Sequence, residues 1–122
     1  MAASCCELET VRGIARAAIH PGHAAQVRQC YEDWATACVL GQFRRGLLVG
    51  VSGGDAFVHL AARDALAALA IAGIPADFRL ALVALDAHLI AVYDAVVVAG
   101  ARHGIEARRL SDEAAALDWL SR

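Results

Sequence analysis

The chain has 122 residues, of which 59% are apolar, a formal net charge of −2 and eleven positive side chains, all of them arginine. A chain of this size and composition forms one domain, spanning 1–122, whose core needs no metal or disulfide support, and it is too apolar to remain disordered. The balanced charge and the lack of a basic block exclude nucleic acid and anionic membrane surfaces as expected partners.

Four cysteines stand at 5, 6, 30 and 38. Neighbouring Cys5 and Cys6 are poorly placed to bridge each other and no C-x-x-C spacing occurs, so the spacing indicates neither a disulfide framework nor a zinc knuckle. The first residues lack the charged and apolar regions of a signal peptide. Every long apolar run is broken, by Arg63-Asp64 or by Asp94, so no integral membrane segment is expected. A cytoplasmic location follows as the default.

Residues 7–19, "ELETVRGIARAAI", read as two short strands turning at Arg12-Gly13, with Arg16 pointing outward. "HPGH" at 20–23 is a turn. From Ala24 to Leu40 the pattern is helical, because Val27, Cys30, Tyr31, Trp34 and Cys38 recur at steps of three and four. "RGLLVGVSG", 45–53, is an apolar run without alternation, as expected of a strand covered on both faces. Asp55 suits the cap of a helix over Ala56–Ala72 that Gly73 and Pro75 end. "FRLALVAL", 78–85, is the next strand. Asp86 caps a third helix that runs to Arg102 and His103. "IEARRL" is the last strand and "SDEAAALDWL" the last helix. The order β-β-α-β-α-β-α-β-α predicts an α/β fold, a small mixed sheet with an N-terminal hairpin, parallel strands thereafter and four helices.

The arginine-led strand "FRLALVAL", the apolar helix "LIAVYDAVVVAGARHG", the short strand "IEARRL" and the ending "SDEAAALDWL" resemble the C-terminal third of small bacterial STAS-like (SpoIIAA-like) proteins. The whole element order is also similar to that of the anti-sigma-factor antagonists of this fold. The resemblance implies a bacterial protein that acts by protein contact. Those antagonists carry a phosphorylatable serine beside an aspartate at the start of the helix after the third strand. Here that place reads Asp55-Ala56-Phe57, with no hydroxyl, which implies a member without the kinase-operated switch.

Gly50-Val51-Ser52-Gly53-Gly54 satisfies the G-x-S-x-G pattern of a serine-hydrolase nucleophile elbow. A triad would need Asp86 and His103, yet about 17 residues of helix, roughly 25 Å, separate them. No His-Gly-Gly-Gly run supplies an oxyanion hole. Ser52, Gly53, Gly54 and Asp55 therefore read as a strand-to-helix turn with a candidate interaction or anion site at the helix start. An esterase using Ser52 is the weakest of the readings, and no catalytic residue is assigned.

His20 and His23, with Cys5 or Cys6 nearby, form the only candidate metal group; two solvated histidines are the commoner outcome of such a loop pair, so no metal and no cofactor is assigned. In the second and third helices only His59, Arg63 and Asp64, and His88, Tyr93 and Asp94, are polar. Consecutive residues on a helix lie about 100° apart, so these apolar residues cannot all face one sheet. Val92, Val96 and Val97, with Arg63 and Asp94 as lone charges, are the expected dimer or pocket face. The expectation is a non-enzymatic regulatory or interaction domain, homodimeric and open to a regulatory protein partner. The alternative is a binder of a small apolar ligand or lipid between sheet and helices.

Overall fold

A computed structural model describes residues 6–51 and 55–122. Ser52, Gly53 and Gly54 lie outside the described residues, as do residues 1–5 with Cys5. Strands β1 (Cys6–Val11) and β2 (Ile14–Ile19) form the expected hairpin, with Cys6 opposite Ile19 and Val11 opposite Ile14. Both turn residues have positive φ, 52° at Arg12 and 76° at Gly13, the primed turn whose twist suits a two-residue hairpin. Helix α1 (Ala24–Leu40) leads to β3 (Arg45–Gly50), α2 (Ala61–Ala72) to β4 (Arg79–Ala84), and α3 (Ile90–Arg102) to β5 (Glu106–Leu110). Helix α4 (Glu113–Leu120) closes the described chain. Two short 3₁₀ turns, Ala56–Leu60 and Ala87–Leu89, begin where the second and third helices are expected, so Asp55 and Asp86 cap 3₁₀ turns instead of α-helices.

Strand order in the sheet follows chain order, antiparallel between β1 and β2 and parallel from β2 to β5. This is the α/β architecture expected from the element order. Crossovers of one hand between neighbouring strands place their helices on one face. Accordingly α1, α2 and α3 share a core with Ala15, Ala17, Ile19, Leu48, Leu80 and Leu82. The alternate residues Ile14, Ala18, Leu47, Val49, Ala81 and Val83 face α4, through its Ala116, Trp119 and Leu120. Both faces of β3 and β4 are buried, which is why their sequences show no polar alternation.

Glycine decides one packing distance. A Cβ on Gly50, at the end of β3, would come 2.5 Å from Leu89 Cδ1 and 2.9 Å from Tyr93 Oη. Only a bare backbone lets α3 settle this close to the strand. On the other face Arg16 is far from outward: its side chain is 14% exposed and bonds Glu113 at the start of α4 at 2.6 and 3.1 Å and Glu9 at 3.0 Å.

The cysteine expectation needs correction. Cys6 and Cys30 are joined in a disulfide with Cα atoms 5.4 Å apart. The antiparallel register brings Cys6 to the end of β2, and the short 20–23 turn folds the second turn of α1 back over that end. The bridge thus ties the edge strand to α1. Cys38 remains a free thiol in the core, where burial pushes its pKa up to about 12, a setting that leaves it unreactive.

Candidate functional site

The C-terminal ends of parallel strands are the usual binding end of an α/β sheet. Here Asp55 Oδ1 accepts from the Phe57 amide at 3.1 Å, and Asp86 Oδ1 from the His88 amide at 2.9 Å. Behind these caps lies a buried polar chain that links three helical elements. His59, on the 3₁₀ turn before α2, is 1% exposed, and its Nδ1 lies 2.6 Å from the Tyr31 hydroxyl of α1. That hydroxyl lies 2.8 Å from the Tyr93 hydroxyl of α3. With all three groups neutral, Tyr93 donates to Tyr31 and Tyr31 donates to His59 Nδ1, which satisfies both buried hydroxyls. Burial raises the pKa of both tyrosines. Burial also lowers that of His59, while Asp55 pulls it the other way. His59 and Tyr93 stand 28 and 62 positions from Tyr31 in sequence, and no spacing motif announces them.

This chain of hydroxyls and imidazole ties α1, the 3₁₀ turn before α2 and α3 together. The residues weighed as a triad are not brought together. Asp86 precedes α3 and His103 follows it, so the 13 residues of that helix, roughly 20 Å, stand between them. His88 Nδ1 lies 3.9 Å from Asp86 Oδ1, too long for a hydrogen bond. Ser52, like Gly53 and Gly54 of the candidate turn site, lies outside the described residues.

The metal reading of the hairpin end fares no better. Cys6 is consumed by its disulfide, and among the described residues no three His, Cys, Asp or Glu side chains are grouped to hold an ion. His20 Nε2 stands 3.2 Å from Glu7 Oε1 in an ion-pair contact that is not aligned as a hydrogen bond. His23 stands at the N-cap of α1, and its amide donates to Gln26 Oε1 at 2.9 Å.

The expected contact face on α3 is also corrected. Val92 and Val96 are buried together with Tyr93 and Gly100 and form the inward stripe of the helix, so no second copy can reach them. Val97 is half-buried against the same core. The outward residues include Ile90, Asp94 and Val98, and Asp94 is paired with Arg109 at 2.7 Å. Arg63 is exposed beside Phe57 and Asp64 in a small surface depression.

An open concavity lies elsewhere, on the outer side of the helical layer. It is a groove of about 460 Å³ between α1 and α2, lined by Glu32, Ala35, Thr36, Val39, Leu40, Asp64, Ala65, Ala68, Leu69 and Ala72. Seven of these ten are apolar, and none is cationic. At the C-terminal ends of the same helices the lining residue Leu40 is 80% exposed, and Ile71, next to the lining residue Ala72, is 88% exposed. The groove exists because the facing positions are alanines, too short to fill the space between two helix backbones. Sequence reasoning passes over it because alanine is at home on any face of a helix; the signal it leaves is the run Ala61, Ala65, Ala68 and Ala72 at steps of four and three, ending beside an unburied Ile71.

Comparison of the chain with protein-family models, curated proteins and solved structures finds no match.

Proposed function

We propose that the chain is a non-enzymatic binding domain, STAS-like in architecture, that holds a small molecule with an apolar body in the groove between α1 and α2. The observation that carries this reading is the groove itself: about 460 Å³, within the range of roughly 300–1,000 Å³ typical of small-molecule sites, with an apolar floor and a few polar groups at its rim. The absence of a hydroxyl after Asp55 supports a domain that works without a phosphorylation switch. The buried tyrosines and His59, engaged with one another, support a structural role for the titratable groups nearest the strand ends.

The test is Ala68→Phe. Ala68 is exposed on the groove wall, so the larger ring fills the concavity without entering the core. Native mass spectrometry should show a co-purifying or added apolar ligand on the parent chain and none on the variant. Equal ligand occupancy in both would sink the reading.

A second reading, contact with another protein or a second copy of this chain, is favoured by the exposure of Leu40 in the groove and Ile71 at its end. Sedimentation distinguishes it: a dimer that Ile71→Arg returns to monomer would place the contact on this face and not on α3.

No helix of the described residues is long and apolar enough to cross a membrane. The Cys6–Cys30 bridge favours an oxidising compartment. The cytoplasmic location expected from the sequence requires both thiols to be reduced in the cell, which alkylation before lysis reads out.

A further inference from the structure

Strand β1 is fastened differently from the rest of the sheet. It is an edge strand, and residues 7–10 are exposed. Among the described residues, Cys6 is the apolar side chain of β1 that packs against the three-helix core, and it does so as one half of the bridge. Leu8, two positions on and pointing to the same side, is 45% exposed and borders a depression of about 160 Å³ shared with Trp34 and Ala37 of α1. The strand it covers is the opposite case: Ile14, Ala15, Ala17, Ala18 and Ile19 of β2 are all buried. Without β1 that strand becomes a bare edge, a row of unpaired amides and carbonyls between apolar side chains, open to pairing with another extended strand.

The strand that fits this edge is β1 itself, from another copy. The hairpin register is symmetrical about the Arg12–Gly13 bond, from Val11 opposite Ile14 out to Cys6 opposite Ile19. Straightened at that bond, residues 6–19 of two copies pair antiparallel in the same register, each β1 lying on the other copy's β2. The exchange remakes the pairs of Glu9 with Arg16 and Glu7 with His20 across copies, and brings Cys6 of each copy to Cys30 of the other. What is lost is the turn, in which Arg12 holds φ at 52°, a left-handed conformation that glycine and asparagine adopt more readily than arginine. Exchange of an identical element is a low-cost route to a dimer. A closed bridge blocks it, because β1 is then tied to its own α1.

We propose that the Cys6–Cys30 bridge is a redox latch on strand exchange: opened by a dithiol reductant, it releases β1 to pair with β2 of a second copy of this chain. Cys30 is 1% exposed and Cys6 half-buried, so a thiolate of the reductant attacks Cys6 Sγ, and Cys30 leaves as a thiolate and takes up a proton. The second thiol of the reductant then displaces Cys6 from the mixed disulfide. Two electrons have passed to the protein sulfurs, and the reductant is left as a disulfide.

The experiment uses the full chain carrying Cys5→Ser, so that the bridged pair and Cys38 are its cysteines. Sedimentation over a concentration series should show a monomer when oxidised and a dimer after warming with excess dithiothreitol. Reoxidising a reduced mixture of isotope-labelled and unlabelled chains with glutathione disulfide should give a covalent dimer, in which peptide mapping joins Cys6 of one copy to Cys30 of the other. Arg12→Asn relaxes the closed turn and should weaken the reduced dimer by about tenfold, several-fold at each of the two hinges. Ile71→Arg should leave it unchanged, whereas a dimer through the α1–α2 groove would be lost. A reduced chain that stays monomeric throughout the series, or that unfolds globally, would overturn the latch. So would a dimer that reoxidises to intrachain bridges alone, one indifferent to Arg12→Asn, or one lost with Ile71→Arg.

Discussion

The two faces of the sheet are held by different physics. On one face three helices bury Trp34, Tyr31, Tyr93, Leu66 and Leu69, and within that layer polar atoms find each other, Trp34 Nε1 donating to the Ala15 carbonyl at 2.9 Å. On the other a single eight-residue helix, α4, covers the strands with Ala116, Trp119 and Leu120. Such a helix is too short to be stable alone, and arginines from the sheet fasten both its ends. Arg16 holds Glu113 in its first turn, Arg45 Nε donates to the Leu120 carbonyl at 3.0 Å, and Arg79 lies 5.5 Å over the Trp119 ring. Cations at a helix C-terminus satisfy its orphan carbonyls and favour its dipole. A large apolar layer can afford a groove on its outer side; a one-helix layer spends its polar side chains on staying attached.

The comparison is broken most directly by Trp34→Ala. The indole is fully buried among α1, β2 and Gly46, and its removal also takes a donor from the Ala15 carbonyl. Urea denaturation should show a loss of about 3–5 kcal/mol. A loss below about 1 kcal/mol would mean that the three-helix layer is not the principal core.

Next in size is the bridge. Cys6 and Cys30 are 24 residues apart, and cross-linking a loop of that length restricts the unfolded chain by about 3 kcal/mol. Cys30→Ser, or reduction of the parent chain, should lower stability by that order. Because the bridge fastens the edge strand to α1, hydrogen exchange of β1 amides should quicken more than that of β4 amides. Uniform change across the sheet would count against a local staple.

The buried hydroxyl chain gives a smaller and pH-dependent effect. Tyr93→Phe removes one donor to Tyr31 and should cost about 1 kcal/mol. His59 is held neutral, its folded pKa below the ordinary value of about 6.5 because burial disfavours the imidazolium. The unfolded chain therefore binds the extra proton first. Stability contributed by His59 is complete above about pH 6.5 and is lost as the pH falls through the lower folded value. Denaturation midpoints measured between pH 7.5 and 5 should fall for the parent chain and fall less for His59→Gln. Parallel curves for the two would remove His59 from the account.

How much of this could be read from residues alone differs by region. The hairpin, the three strand–helix repeats and the short last helix are legible because each obeys a local rule: Arg12-Gly13 for the turn, steps of three and four for α1, unbroken apolar runs for β3 and β4. The disulfide is not legible, because the register that brings Cys6 beside α1 is a property of two strands and a turn together. On α3 the 100° argument correctly implies that some apolar residues must face outward, and Ile90 and Val98 do. It does not say which, and the inward stripe is the one containing Val92 and Val96, since Tyr93 must reach Tyr31. The groove escapes for the opposite reason: it is made of what alanine side chains leave empty.

The smallest effect separates the two kinds of charge pairing on this molecule. Arg109 Nε donates to Asp94 Oδ1 at 2.7 Å across the surface of α3 and β5, with the acid about half exposed. Solvent screens such a pair, and holding two mobile side chains together offsets much of the attraction. Asp94→Leu should therefore change stability by about 0.5 kcal/mol or less. Glu113→Ala, which strips the half-buried Arg16 of two of its bonds at the start of α4, should cost about 1–2 kcal/mol. Measured together in the same denaturant series, the two variants ask whether arginine pairs matter here wherever they occur or only where they fasten α4. Equal losses would deny the second face its special dependence on charge, and a larger loss at Asp94 would reverse the ranking of the two faces.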